Sequence, residues 1–549
     1  MSKINKKYTI KKIDNLKASE KTTKDSGFIL EANKPLSLSM VWKLQADFYA
    51  SQGPEAWIKG IVPQYITTNP YIANLYAKIV FGYCRDITSS KSFNKNTTIY
   101  IMELAAGVGR FTYTFLKRFL HLLANSPLKD LKFKYIITDL AERNVIYWQS
   151  HSYLKPYFES GILDCATFDM TGDNALTLRI SGEVLGKGSV KNPLILFANY
   201  TFDSLPQDTF YVNKGKLFEG LITITAKDGQ ADSLDKSILA GYDYYYTDKQ
   251  LQGSNYYEEA NLNEILLYYK DCFEDTAFSL PIAALRCLSR LQTLFGDDLL
   301  LISADKGYND TASMNQNYHP YLSKHGSISL TVNFHALELY FRSLGGSAIH
   351  SIYEQESVTM SMFLLSKRSH NFTETTMAYN EVIESIGPDD FYTIKKAVVP
   401  SHKSFTTKEL LTFLRYTVWD SRTFLEFYNT ILERISEEKD FPKEELIDVI
   451  YKVWEYYFPI GEDGNLFYCL GSLLGYFGCD KDAVKLYQSS VEFYGEDAAI
   501  NYELAVCYYN MQELETAMEY INRSLVLEPG FEESLNLKGI IEESVQGLF

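Results

Sequence analysis

Paired cysteines, metal-spaced histidines, basic excess and long apolar runs are all missing from this chain, and each absence removes a class of protein. The seven cysteines (Cys84, Cys165, Cys272, Cys287, Cys469, Cys479 and Cys507) are scattered and odd in number, with no C-x-x-C pair. That excludes a zinc ribbon and a disulfide framework and fits reduced, buried thiols. The eight histidines show neither H-x-x-x-H nor H-E-x-x-H spacing, so no metal site is expected, and His325 and His335 read as structural. No apolar stretch reaches the length of a bilayer span. The lysine-bearing N-terminus has no apolar core segment and is interrupted by Asp14 and Glu20, which argues against a secretory or transit signal and for a cytoplasmic protein. Lys and Arg number 53 against 69 Asp and Glu, a net charge of −16. A general nucleic-acid binder needs the opposite sign. A basic peptide or a cationic ligand suits such a chain better.

What is present is an ordinary globular balance, 46% apolar and 22% charged over 549 residues, long enough for two or three domains. Residues 1–35 are polar and lysine-bearing and read as a partly disordered arm. Helical spacing begins at Leu36, with Trp42, Leu44, Phe48 and Tyr49 on one face. A loop over 56–70 follows, then a helix over 72–81 with Asn69 as cap and Pro70 at its first position.

From residue 98 the pattern alternates. A β-branched apolar run over 98–104 leads into the small-residue turn Ala105-Ala-Gly-Val-Gly109, and a helix is predicted over 111–123. Further strands are predicted over 134–139, 162–168, 193–199, 298–305 and 359–365. A hairpin is expected at 211–219 and a tyrosine-rich helical insertion over 255–294. This alternation predicts an open, Rossmann-like α/β sheet. Strands cease after about residue 370, and 371–460 reads as amphipathic helices. In the tail, Leu470-Gly471, Leu474, Ala483, Tyr487 and Ser490 recur as Leu504-Ala505, Tyr508, Ala517, Ile521 and Ser524. The period of 34 residues is that of a tetratricopeptide repeat. Residues 461–549 therefore read as two repeats and a capping helix, an all-α domain that recruits a protein or peptide partner. Nothing in the sequence assigns an oligomeric state.

In an open α/β sheet the ligand lies outside the carboxyl ends of the strands. Four predicted ends carry Glu103, Asp139, Asp169 and Asn199. Gly107 and Gly109 let backbone approach a ligand without an intervening Cβ. Asp139 is placed to accept from both hydroxyls of a ribose, Asp169 from an adenine amino group, and Glu103 to complement a sulfonium or ammonium. A nicotinamide dehydrogenase is disfavoured, because Thr112 occupies the third glycine position and an acid before the turn opposes a pyrophosphate.

These features are those of class I methyltransferases that bind S-adenosylmethionine. Ala198-Asn-Tyr-Thr-Phe-Asp-Ser-Leu-Pro206 resembles the Ala-Asn-Glu-x-Phe-Asp-Ala-Leu-Pro motif of the MidA-like methyltransferases, a family that includes the mitochondrial complex I arginine methyltransferase. Tyr65-Ile-Thr-Thr-Asn-Pro70, Asp305-Lys-Gly307 and Ser327-Ile-Ser-Leu-Thr-Val-Asn-Phe334 resemble further segments of that family in the same order, so the likeness covers about 40–365. The resemblance implies a methyltransferase domain over 36–370. Its cofactor set comprises Glu103, Ala105, Gly107, Gly109, Asp139, Leu140, Asp169, Met170 and Asn199, with Tyr65 and Thr68 in a lid over 65–69. Asp203 is the expected base or orienting group for the acceptor, Asn199 an acceptor contact, and Tyr200 a lining of the acceptor channel. This chain departs from the family at Ala105, where the motif has glycine, at Tyr200, where it has glutamate, and near Thr331, where it has histidine. The expected function is transfer of a methyl group to a protein or peptide side chain, arginine among the candidates. A degenerate methyltransferase fold serving as a scaffold for the repeat tail is the alternative, and a small-molecule acceptor a third reading.

Overall fold

The computed structural model describes residues 28–90, 93–226, 242–253, 255–314, 318–324, 327–353, 355–367 and 372–546. Most of the predicted arm, residues 1–27, and His325 lie outside these. The central sheet is built from Ile99–Leu104, Phe133–Asp139, Leu163–Thr167, Leu194–Asn199, Leu299–Asp305, Ser347–His350 and Thr359–Leu365. Counting these along the chain, their spatial order is 3-2-1-4-5-7-6. All run parallel except the seventh, which is antiparallel to both its neighbours.

Alternation of side chains across the pleat sends Ile99 and Ile101 into one core and Tyr100, Met102 and Leu104 into another. The first core is covered by the helices Pro70–Ser89 and Arg110–Ala124, the second by Ala260–Cys272, Ile282–Phe295 and Phe334–Ser343. A sheet covered on both faces needs the continuous apolar strands that the sequence supplies. The order reverses between the first and fourth strands, and that reversal opens a crevice at their carboxyl ends.

A second, antiparallel sheet lies beside the first: Phe28–Pro35, Lys216–Ala226, Asp208–Asn213 and Asp275–Leu280 in that order, with Tyr242–Gln250 also paired to Lys216–Ala226. Two expectations are corrected here. The last residues of the polar arm, Phe28–Pro35, form a strand because backbone pairing to Lys216–Ala226 holds them, while most of their side chains stay in solvent. The insertion over 255–294 is two helices separated by the strand Asp275–Leu280, which pairs with Asp208–Asn213.

The chain beyond residue 372 is helical. The helices Leu466–Tyr476 and Asp480–Tyr494 form one antiparallel pair, Ala498–Asn510 and Leu514–Leu527 a second, and Glu532–Gln546 closes the stack. Gly471 lies against the Tyr487 ring, where a Cβ would come within 2.9 Å, so the small residue at this crossing sets the helix spacing. The molecule is thus a Rossmann-like class I methyltransferase fold followed by an all-α tetratricopeptide-type domain. Among the described residues no helix is long and apolar enough to cross a membrane.

Candidate functional site

The crevice at the switch point has a volume of about 410 Å³. Its floor is the turn after the first strand. Ala105, Gly107 and Gly109 all hold left-handed backbone, with φ of +50°, +59° and +81°. Gly107 is closely covered by the Trp57 ring, which a Cβ there would meet at 3.1 Å. Asp139 ties this floor to the second strand: its Oδ2 accepts from Gly107 N–H at 3.0 Å and its Oδ1 from Ala141 N–H at 2.9 Å. Each oxygen keeps a lone pair for a ligand hydroxyl. Asp169, which lines the crevice, uses Oδ1 to accept from the Thr171 N–H and hydroxyl at 2.7 and 2.6 Å. Leu140 and Met170 supply apolar surface beside the two acids.

Glu103 is buried, and its Oε2 accepts from the hydroxyls of Thr112 at 2.5 Å and Tyr135 at 2.6 Å. Burial pushes this carboxyl up to about 7, against the opposing effect of those two hydroxyls. The residue at the third glycine position of a dinucleotide motif therefore has another task here, which is to hold the acid of the first strand. Across the switch point Asn199 Oδ1 accepts from Tyr76 OH at 2.5 Å, while its Nδ2 is buried with no partner.

The roof comes from the segments before the sheet. Tyr49 and Trp57 stack with centroids 5.8 Å apart, and Gln45 and Gln64 bring their side chains to the crevice wall. Both Oε1 atoms are buried without a partner. Two orphaned acceptors and one orphaned donor around one crevice call for a ligand carrying both donors and acceptors. An amino-acid moiety attached to an adenosine has that character, and its cationic sulfonium or ammonium would meet Glu103 and the glutamine carbonyls.

Of the residues expected from sequence, Glu103, Ala105, Gly107, Asp139, Leu140, Asp169, Met170, Asn199, Tyr200 and Thr68 line the crevice. Three sit elsewhere. Gly109 begins the helix Arg110–Ala124 and packs beneath it, where a Cβ would meet Ile137 and Trp148 at 3.2 Å. Tyr65 points away from the crevice: its hydroxyl donates to Asp420 Oδ2 at 2.8 Å and accepts from Lys395 Nζ at 2.6 Å. Of the segment expected as a lid, Thr67 and Thr68 line the crevice together with the preceding Gln64, and Asn69 caps the helix Pro70–Ser89 by accepting from Ile72 N–H at 3.0 Å.

Asp203 lines an adjoining cavity of about 430 Å³ rather than the crevice itself. The two cavities share Tyr49, Val62, Pro63, Tyr200 and Ser204 as a common wall. Asp203 is held by Asp305, whose Oδ2 accepts from the N–H groups of Thr201, Phe202 and Asp203 at 3.1, 2.9 and 3.1 Å. Leu330 N–H donates to Asp203 O at 2.9 Å. The three resembling segments at 198–206, 305–307 and 327–334 thus converge on one loop. Burial raises both carboxyls, Asp203 to about 6, and the charge of Asp203 pushes Asp305 further up.

A family model, the Fis1 C-terminal tetratricopeptide repeat, matches residues 500–547. No curated protein matches the chain. Among solved structures it is similar to an uncharacterised COG1565 superfamily protein from Burkholderia thailandensis at 13% identity, covering 58% of this chain and 74% of that one, with a TM-score of 0.37. A COG1565 superfamily member from the same organism, bound to S-adenosyl-homocysteine, is similar at 13% identity over 57% of this chain and 78% of that one, TM-score 0.33. The repeat protein YrrB, described as having an unusual peptide-binding site, is similar at 18% identity over 31% of this chain and 83% of that one, TM-score 0.23. The geometry of the crevice, not these distant likenesses, carries the functional reading.

Gln45, Tyr49, Trp57 and Gln64 are site residues that the sequence does not announce. They precede the sheet, Gln45 and Tyr49 on the helix Met40–Gln52, Trp57 in the short turn Glu55–Ile58 and Gln64 just before Tyr65–Thr68, and no motif marks them. Asp305 is announced only by the Asp-Lys-Gly resemblance. Half-buried His335 shares a hydrogen bond with Tyr269 OH at 3.0 Å and lines neither cavity.

Proposed function

We propose that this protein is an S-adenosylmethionine-dependent methyltransferase that modifies a protein or peptide side chain, with the repeat domain recruiting substrate or partner. The observation that carries the reading is an open crevice at the switch point, ringed by Asp139, Asp169 and Glu103 and by orphaned polar atoms of Gln45, Gln64 and Asn199. Bound S-adenosylmethionine would supply an electrophilic methyl group on a sulfonium. Asp139 would hold the ribose hydroxyls, Asp169 the adenine amino group, and Asn199 Nδ2 an acceptor atom of the ligand. Glu103 would carry the charge opposite the cation. In the adjoining cavity Asp203, raised to about 6 by burial, is poised to take a proton from an acceptor N–H or O–H at neutral pH. Tyr49 and Tyr200 separate the cavities and would align the acceptor and keep water out. Tyr200 stands where the resembling family has a glutamate, so an arginine acceptor has no second carboxylate there.

The alternative, a degenerate scaffold, calls for a crevice filled by side chains, and this one is open. Calorimetry with S-adenosylhomocysteine on the folded protein is expected to show saturable heat, abolished by Asp139→Ala. Absence of heat would remove the reading. Incubation with labelled S-adenosylmethionine and native lysate should then label a polypeptide, whereas label confined to small metabolites would reject the protein-substrate part.

A further inference from the structure

The acidity of this chain is not spread evenly. Residues 461–549 contain sixteen Asp and Glu against four Lys and Arg, a net −12 out of the whole chain's −16. The same region carries an aromatic face. On the helix Leu466–Tyr476, Tyr468 and Tyr476 fall two turns apart on one side, and Tyr476 is 72% exposed. At the repeat period Tyr468 corresponds to Tyr502 on the helix Ala498–Asn510, which also carries half-buried Tyr509. The first helices of successive repeats line the concave surface that repeat stacks use for docking.

Charge and aromatic surface meet at Glu503. Its Oε1 accepts from Tyr468 OH at 3.5 Å and its Oε2 from Tyr487 OH at 3.2 Å. The side chain is only partly covered, and burial raises its carboxyl despite those two donors. Glu503 follows Tyr502 on the same helix, and exposed Glu533 lies in the first turn of the helix Glu532–Gln546; the charges of both act on Tyr502. A half-buried carboxylate among tyrosine rings, with a second, exposed one close by, favours a guanidinium or ammonium over an apolar or acidic side chain.

We infer that the inner face of the repeats, centred on Tyr468, Tyr502, Glu503 and Glu533, docks a Lys/Arg-rich segment of a partner protein. The inference rests on the reading of the repeats as a recruiting domain and is independent of cofactor binding. The chain contains a competing occupant, since residues 1–27 hold eight lysines against three acids.

The test uses the full chain and fluorescence anisotropy of a labelled Lys/Arg-rich peptide, with an Asp/Glu-rich peptide of equal length as control. Saturable binding of the basic peptide alone is expected, weakening as salt is raised. Glu503→Gln and Glu533→Lys should each weaken it about fivefold or more. Glu444→Lys, at an exposed acid of Lys443–Tyr456 outside the repeats, should leave it unchanged. Glu533 is exposed, so its variant tests the surface without threatening the fold. Equal binding of the acidic peptide, or equal loss in Glu444→Lys, would overturn the inference. Binding that appears only after removal of residues 1–27 would assign the face to the chain's own arm and overturn it equally. Methyl transfer is not read in this experiment, so a failed cofactor site leaves its outcome intact.

Discussion

Ala105 and Tyr200 face each other's strands across the switch point, and both hold left-handed backbone, at φ of +50° and +49°. A side chain in that region costs about 1–2 kcal/mol. The strain is stored beside the crevice, where both residues line the wall. Ala105→Gly should relieve it, offset partly by the freer unfolded chain, for a net gain of about 0.5–1 kcal/mol in denaturant unfolding. Cofactor affinity should not fall, since the glycine restores the turn of the resembling family; a loss of stability would show that the Cβ makes a contact worth more than its strain. Glu103 gives a second prediction at this scale. Its carboxyl sits near 7 because it is buried, so at lower pH it is neutral and offers a cation nothing. A cationic ligand should therefore bind more tightly as pH rises from about 6 to about 8. Calorimetry should show that dependence for S-adenosylmethionine and a weaker one in Glu103→Gln. Identical pH profiles for the two proteins would dissociate Glu103 from ligand charge.

At the scale of elements, the turn Tyr65–Thr68 beside the crevice is held by residues of the helical region far along the chain. The turn Tyr65–Thr68 presents Thr67 and Thr68 to the crevice while Tyr65 reaches Asp420, which also accepts from Lys395 Nζ at 3.0 Å. Lys395 and Arg422 lie over the Tyr65 ring at 4.3 and 4.8 Å. Lys395 and Asp420 are both buried, so Asp420→Ala would strand a lysine charge and should cost about 3–5 kcal/mol. Tyr65→Phe removes only the hydroxyl and should weaken cofactor binding several-fold with little change in unfolding midpoint. Unchanged affinity in that variant would mean the turn needs no clamp. This clamp also shows what a sequence can and cannot reveal. The strands 99–104, 133–139 and 194–199 are legible because burial on both faces demands apolar runs, and the acids at their ends because the fold rule says where ligands lie. Asn199 to Pro206 is legible as a motif. Tyr65 is misread as a lid contact because its partner is 355 positions away, a distance no local pattern spans. Phe28–Pro35 is misread because its order comes from a neighbour's backbone rather than its own side chains. Trp57 and the two glutamines escape because their roles are defined only by the crevice they close.

For the whole molecule, the helical region does not hang from the sheet domain but grips it at the helix that follows the glycine turn. Arg110, the first residue of that helix, is paired with Glu462, and Tyr113 OH donates to Glu455 O at 3.0 Å. Phe458 and Ile460 enter the same core as Val108 and Trp148. His151 closes the junction: its ring stacks on Phe458 at 4.1 Å, its Nε2 bonds Pro459 O at 2.8 Å, and its Nδ1 accepts from Tyr153 N–H at 3.2 Å. Only the neutral imidazole, with its proton on Nε2, satisfies both bonds, and burial lowers His151 from 6.5 to about 4. The folded state thus binds this proton less readily than the unfolded chain. The junction's contribution is complete above 6.5 and lost as pH falls toward about 4, a change on the order of 2–3 kcal/mol. His151→Gln keeps a donor for Pro459 O and cannot titrate. Denaturant unfolding of the full chain across that acid range should show the wild type losing more stability than the variant, beyond the loss common to both from other carboxylates. Cofactor affinity should decline in parallel in the wild type, because the crevice floor and the junction share the helix Arg110–Ala124. Parallel stability curves for the two proteins would place the acid sensitivity elsewhere, while a stability difference without an affinity difference would show that the repeat domain can loosen without disturbing the turn at Gly107.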